Sequence, residues 1–300
     1  MSDYDEFGGL PAYAAGVGLP REQIPPVERV AMRTRDREHV SGLRWGSGEP
    51  EIVYLHGGAQ NAHTWDAVAL AVGRPALALD LPGHGHSSWR QDRNYSPRAN
   101  ADAVAEVIAD RAPQAGLVVG MSLGGLTLIS LASAYPELVR RALIVDVTPG
   151  VSRHMPEMTP RERGATLLTQ GPRVFDSLEA MVDAAVAVMP ARSRESLWWG
   201  VRHNAKPLAD GTWVWRYDTL RAGGRVDLAA LWDELSAIRV PVLLARGGTS
   251  AFVTEADIDE FVARQPRARV ATVPDSGHSV QSDQPVLLAK LINEFLQDSG

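Results

Sequence analysis

Cysteine is absent from the 300 residues, which excludes disulfides, thiolate nucleophiles and cysteine-ligated metals. An excess of positive charge is missing too. Thirty Lys and Arg stand against 36 Asp and Glu, for a net charge of −6, so there is neither a nucleic-acid footprint nor a strong pull toward anionic membranes. No stretch approaches eighteen uninterrupted apolar residues, and no transmembrane helix is expected. The first thirty residues lack a basic start and a sustained apolar run, and carry Asp3, Asp5, Glu6 and several prolines. A signal peptide is therefore not expected, and the expected location is the cytoplasm. Lysine is nearly absent, at Lys206 and Lys290 only, which reads as codon bias rather than chemistry. What remains is ordinary globular material, 45% hydrophobic and 22% charged, long enough for one large α/β domain or a core with an insertion.

Short aliphatic runs punctuate the chain: Glu51 to His56, Ala76 to Asp80, Leu117 to Gly120, Ala142 to Val147 and Val240 to Arg246, with Arg269 to Val273 as a last candidate. Runs of this kind suit strands covered on both faces. Val27 to Arg35 and Glu38 to Trp45 alternate apolar and polar residues and read as a pair of antiparallel edge strands. Helical patterns lie between the runs. Ser96-Pro97 supplies a cap and a first-turn proline for a helix through Val104, Val107 and Ile108. Leu287, Leu288, Leu291, Ile292, Phe295 and Leu296 mark an amphipathic last helix. This alternation predicts an α/β fold with a doubly wound, mostly parallel sheet. Residues 1–26, rich in Gly, Pro and acids, are expected to be irregular or wrapped over the surface. The alternation breaks once, over 149–238, where helical patterns and loops replace strands and five of the eight tryptophans collect. The reading is a core of 1–148 and 239–300 with an inserted segment, 149–238.

The stretch "LVVGMSLGGL", Leu117 to Leu126, reads as strand, sharp bend, helix. Gly120 and Gly124 flank Ser122 at G-x-S-x-G spacing, where side chains two positions either side of the bend would collide. The serine projects from the bend as a candidate nucleophile, over a helix N-terminus that favours developing negative charge. His56-Gly57-Gly58-Ala59 ends a strand with a backbone free to present N–H groups. An oxyanion would be held by Gly58 N–H together with Leu123 N–H. His278, in "PDSGHSVQSDQP" beyond the last expected strand, is the candidate general base, because a neutral imidazole is the common side chain fit for that task. "DLPGHGHS", Asp80 to Ser87, suits a tight structural loop. His84 and His86 stand two apart without an evident third ligand group, so no metal site is assigned.

Taken together, "HGGAQNAHTW", "DLPGHGHS", "GMSLGG" and "SGHS", in that order and at strand ends, resemble the α/β-hydrolase superfamily. The resemblance covers about residues 38–148 and 240–298. It implies an eight-stranded sheet, a helical cap over 149–238, and a serine hydrolase acting on a small ester, thioester or lactone through an acyl-enzyme. The implied partner is a small acyl substrate, with no metal or organic cofactor, no nucleic acid and no membrane. Oligomeric state is not specified. Substrate contacts are expected at Trp198, Trp199 and Trp215 of the cap and at Val280 on the histidine loop, although packing within the cap explains the tryptophans equally well. Serine at the elbow disfavours the relatives that use aspartate there. Two alternatives stay open: a carbon–carbon bond hydrolase of vinylogous diketones, whose usual Gly-Pro-Gly is here Ala59-Gln60-Asn61, and a non-catalytic ligand-binding homologue.

The family's commonest pattern puts the triad acid in the loop after the next-to-last strand, and there Ala251 occupies the slot. Alanine cannot orient an imidazole. Asp146 ends the strand "ALIVDV" next to the elbow strand, and some superfamily members carry their acid at that strand end, so Asp146 is the expected acid. Its competing role is to cap the turn at Pro149-Gly150. Glu255 and Asp257 fit better in the first turn of the following helix.

Overall fold

A computed structural model describes residues 4–20, 22, 24–190, 192–218 and 228–298. Part of the inserted segment, 219–227, lies outside these. Eight strands form one sheet: β1 (Val27–Arg33), β2 (His39–Trp45), β3 (Ile52–Leu55), β4 (Ala76–Leu79), β5 (Leu117–Met121), β6 (Ala142–Val145), and two further strands after the insertion. The insertion contributes β7 (Val174–Phe175), β8 (Ala205–Pro207) and β9 (Trp213–Trp215) to a separate sheet, so the last two are β10 (Val242–Gly247) and β11 (Arg269–Val273). The main order is β1-β2-β4-β3-β5-β6-β10-β11, with β2 antiparallel to both its neighbours and the rest parallel.

The aliphatic runs become strands because both faces are covered. In β3, Val53 and Leu55 join one core with the helices Pro97–Arg111, Leu123–Ala134 and Ala230–Ala237, while Ile52 and Tyr54 join the opposite core with Asp66–Val72 and Pro285–Gln297. All four β3 residues are fully buried. Ser96 caps its helix by accepting from Ala99 N–H at 3.3 Å, with Pro97 in the first turn. Leu288, Ile292 and Phe295 bury the apolar face of the last helix.

Three expectations are corrected. β2 is an interior strand, because β4 pairs on its other side, and only β1 is an edge there. Residues 1–26 include a helix, Leu10–Gly16, that carries a first-turn proline and buries Leu10 and Ala14; the spacing of those two residues places both on one helix face. The inserted segment is not purely helical. Its antiparallel sheet, ordered β7-β9-β8, has strands of two or three residues, too short for alternation to register in sequence. Phe175, Met181, Val182, Leu197, Trp215 and Tyr217 give this segment a core of its own. No helix among the described residues is long and apolar enough to cross a membrane.

Candidate active site

Strand register assembles the site. Met121 pairs with Val145, and Val145 with Ala245, so the next residues along, Ser122 and Asp146, emerge side by side at the carboxyl edge. Ser122 N–H donates to Val145 O at 3.1 Å and Asp146 N–H to Ala245 O at 2.8 Å. Both residues have positive φ, 50° and 49°, a conformation that side-chain-bearing residues adopt only where the surroundings enforce it. For Ser122 the enforcement is visible. A Cβ on Gly120 would stand 2.3 Å from Gly124 O, and one on Gly124 would stand 2.2 Å from Leu55 O. The bend and the helix that follows are pressed against β3 too closely for any other residue.

His278 stands on the loop after β11, between the two. Its Nε2 is 3.1 Å from Ser122 Oγ and its Nδ1 is 2.8 Å from Asp146 Oδ2. A carboxylate oxygen can accept from Nδ1 only in the tautomer that carries the imidazole hydrogen there, and that tautomer presents the Nε2 lone pair to the serine. Asp146 is fully buried and held from both sides. Gly247 N–H donates to Oδ1 at 2.7 Å, and Ser250 Oγ–H donates to Oδ2. Phe252 N–H in turn donates to Ser250 Oγ at 3.1 Å, and the Phe252 ring lies flat on the imidazole, centroids 3.4 Å apart at 8°. The last residue of β10 and the loop after it therefore supply the donors that fix the carboxylate, while the carboxylate itself stands just past the end of β6. Glu255 instead pairs with Arg246, and Asp257 forms a capping box with Thr254. Neither reaches the imidazole.

The turn His56–Ala59 lies against the serine: a Cβ on Gly57 would sit 3.3 Å from Ser122 Cβ, whereas one on Gly58 would face open space. Among the described residues Gly58 N–H makes no hydrogen bond. Leu123 N–H is the first of its helix and has no intrahelical acceptor. His56 is structural. Burial pushes its pKa down to about 3, and as a neutral ring it accepts Leu81 N–H on Nε2 at 2.9 Å. Asp80, in the following loop, accepts from Ala62 N–H, His86 N–H and Arg29. His84 packs edge-on against His56.

A cavity of about 110 Å³ lies beneath the inserted segment, beside the Gly58 turn and the His278 loop; Ala59, Gln60, Met189, Trp199, Trp215 and Ser279 are among its walls. Trp199 and Trp215 thus reach the cavity. Trp198 does not: it is 39% exposed, with the Arg202 guanidinium over its ring. Val280 is fully buried in the core under the loop, turned away by the short helix Val280–Asp283. Residues 1–26 add an unexpected wall, Tyr13, stacked on Trp199 at 4.7 Å. Asn204, also unexpected, donates from Nδ2 to Ala59 O at 2.6 Å, tying the insertion to the turn His56–Ala59.

A second polar cluster lies deeper. His63 Nδ1 is 2.8 Å from Asp66 Oδ2, which also accepts Trp199 Nε1–H at 2.9 Å. His63 Nε2 is 3.1 Å from Glu6, and its ring stacks on His203 at 3.6 Å. Burial alone would depress His63, but the Asp66 and Glu6 carboxylates override it and raise its pKa to about 9. Burial and the neighbouring His63 keep His203 neutral. Nothing in the sequence joins His203 to the His63–Asp66 turn; only the docking of the insertion does.

A sequence profile of the α/β hydrolase family matches residues 52–291. An esterase of Mycobacterium tuberculosis, Rv0045c, is 48% identical over 99% of this chain and 97% of its own. A solved structure of that esterase, from work on its transition-metal inhibition and structural refinement, has a TM-score of 0.88 at 47% identity, covering 99% of this chain and all of its own. A pimeloyl-acyl-carrier-protein methyl ester esterase of Nitrosomonas europaea is 31% identical over 78% of this chain and 90% of its own.

Proposed function

Because the chain belongs to the α/β hydrolase family and is a hydrolase, we propose that it cleaves small carboxylic esters, with thioesters and lactones in the same class, through an acyl-enzyme on Ser122. The observation that carries the proposal is the unbroken contact Asp146–His278–Ser122 at the strand tips. Ser122 Oγ attacks the acyl carbonyl as its proton passes to His278 Nε2, and Asp146 balances the imidazolium that forms. The oxyanion meets Gly58 and Leu123 N–H, fixed donors that need no reorganisation. Collapse expels the alkoxide, which takes the proton from Nε2. Water then repeats the sequence on the acyl-enzyme and frees the acid.

We take 149–238 as the cap that shapes the substrate site. The cavity, about 110 Å³, meets the site at Ala59 and Ser279 and is not walled by Ser122 or His278 themselves; we read it as room for a short acyl group, since it is small beside the roughly 300–1,000 Å³ of pockets for drug-sized ligands. A panel of p-nitrophenyl esters of graded chain length tests this. The expected kcat/KM is highest for short acyl chains and falls as they lengthen; a preference for long chains, or no turnover of any ester, would contradict it. Trp199→Ala enlarges the cavity and removes the bond to Asp66. It should shift the preference toward longer chains while fluorophosphonate labelling of Ser122 persists. Loss of folding in that variant, seen by circular dichroism, would assign the tryptophan to packing alone. From the relative's metal inhibition we infer that the same susceptibility extends to this chain.

A further inference from the structure

We propose that His63, Asp66 and His203 form a binding site for a divalent transition-metal ion of the zinc or copper type, and that an ion bound there restrains the hydrolase by pulling on its cap. The ligand atoms of the three lie within 4.8 Å of one another, and all three side chains are buried. Two polar atoms in the cluster, His203 Nε2 and Asp66 Oδ1, are buried without a hydrogen-bond partner, an arrangement that costs stability unless something fills it. Two imidazoles and a carboxylate suit zinc and copper rather than calcium or magnesium.

The surroundings are those of a supported site. Asn61 Oδ1 accepts His63 N–H at 2.9 Å and fixes the turn that carries His63 and Asp66. Tyr4 Oη is 2.6 Å from His203 Nδ1, which leaves Nε2 as the free coordinating atom. Ligands on a tetrahedral ion sit about 3.4 Å apart, given bonds of about 2.0–2.1 Å. Binding therefore draws the more distant atoms inward from a spread of up to 4.8 Å, while His63 Nδ1 and Asp66 Oδ2, now 2.8 Å apart, must ease away from each other. The stacked rings must also fan apart, because parallel lone pairs cannot meet on one ion. Coordination through His63 Nδ1 releases the hydrogen it shares with Asp66 to solvent.

That movement has a route to the catalytic edge. His203 is carried by the helix Arg194–Asn204, whose next residue, Asn204, holds Ala59 O beside Gly58, and whose Trp199 walls the cavity. Drawing His203 toward the core shifts both, and with them one oxyanion donor.

The inhibitory consequence rests on the hydrolase reading above; the binding does not, and is read separately. The full chain, freed of metal with a chelator, is titrated with Zn²⁺ by calorimetry, and with Co²⁺ by its visible absorption. One site per chain is expected, in the wild type and equally in Ser122→Ala. His203→Gln and Asp66→Asn should each weaken binding by at least about tenfold. His203→Gln, shown to be folded by retained fluorophosphonate labelling in metal-free buffer, should lose sensitivity of ester turnover to Zn²⁺. Binding unchanged in both variants, or no stoichiometric site in the wild type, would overturn the proposal. A failure of the hydrolase reading would look different: no ester turnover, with Zn²⁺ binding intact.

Discussion

Ser122→Ala and His278→Ala should each lower kcat for the best p-nitrophenyl ester by about 10⁶-fold, and the double variant should fare no worse, because a nucleophile and its base act as one unit. The geometry gives the reason. His278 Nε2 faces only the serine oxygen, so removing either leaves the other without a task. What survives is the rate from binding and from the two backbone donors, Gly58 and Leu123, which neither substitution touches. Circular dichroism should be unchanged, since Ser122 and His278 both sit at the cleft rather than inside the core clusters. A His278→Ala variant that kept more than about a hundredth of the rate would remove the histidine from the role, since general base catalysis contributes about 10²–10⁴-fold even when it acts alone.

Asp146→Asn should lower turnover by up to about 10⁴-fold, whereas Glu255→Gln should leave it near the wild-type value. The size of the first effect follows from how the carboxylate is held. Oδ1 accepts the Gly247 N–H at 2.7 Å, so an asparagine must place its oxygen there and turn its NH₂ toward the imidazole. Two donors cannot face each other. His278 Nδ1 would have to become the acceptor, its hydrogen would move to Nε2, and Nε2 could no longer take the serine proton. The loss is therefore a wrong tautomer in an otherwise intact site, and it should appear in kcat with little change in KM. Glu255 lies in an exposed ion pair with Arg246, far from this chemistry by its bonding. Equal losses in the two variants would contradict the assignment, as would an Asp146→Asn enzyme at full rate.

The parts of this molecule that were legible in the sequence are those where one local constraint decides. Gly120 and Gly124 could be read because the elbow has no room for a Cβ at either position. The central strands could be read because burial on both faces demands unbroken aliphatic runs such as Ile52–Leu55. Asp146 came into view through the resemblance, which leaves the usual acid slot to Ala251, and through parallel strands that end together; its contact with His278 is what the structure adds. The rest depends on tertiary contact. β2 looks like an edge strand in sequence, and only its pairing with β4 makes it interior. The helix Leu10–Gly16 has too few turns to show a period and is held by packing of Leu10 and Ala14. Adjacent tryptophans stand about 100° apart around one helix, so Trp199 reaches the cavity and Trp198 the surface, a choice set by which face of the helix meets the core. Val280 follows the histidine closely in sequence, yet the short helix Val280–Asp283 buries it. His63, Asp66 and His203 belong to two elements that meet only when the insertion docks.

The central claim is that Ser122 is the nucleophile of a complete triad whose acid stands just past the end of β6, and one measurement meets it most directly. The purified enzyme is treated with a fluorophosphonate, digested, and the adduct located by mass spectrometry, in parallel for the wild type, Asp146→Asn and Ser122→Ala. The account predicts a single adduct on the peptide containing Ser122 in the wild type, formed far more slowly in Asp146→Asn and absent in Ser122→Ala, with ester turnover lost in step. An enzyme that hydrolyses esters while Ser122 stays unmodified, or one labelled equally fast with and without the Asp146 carboxylate, would contradict it.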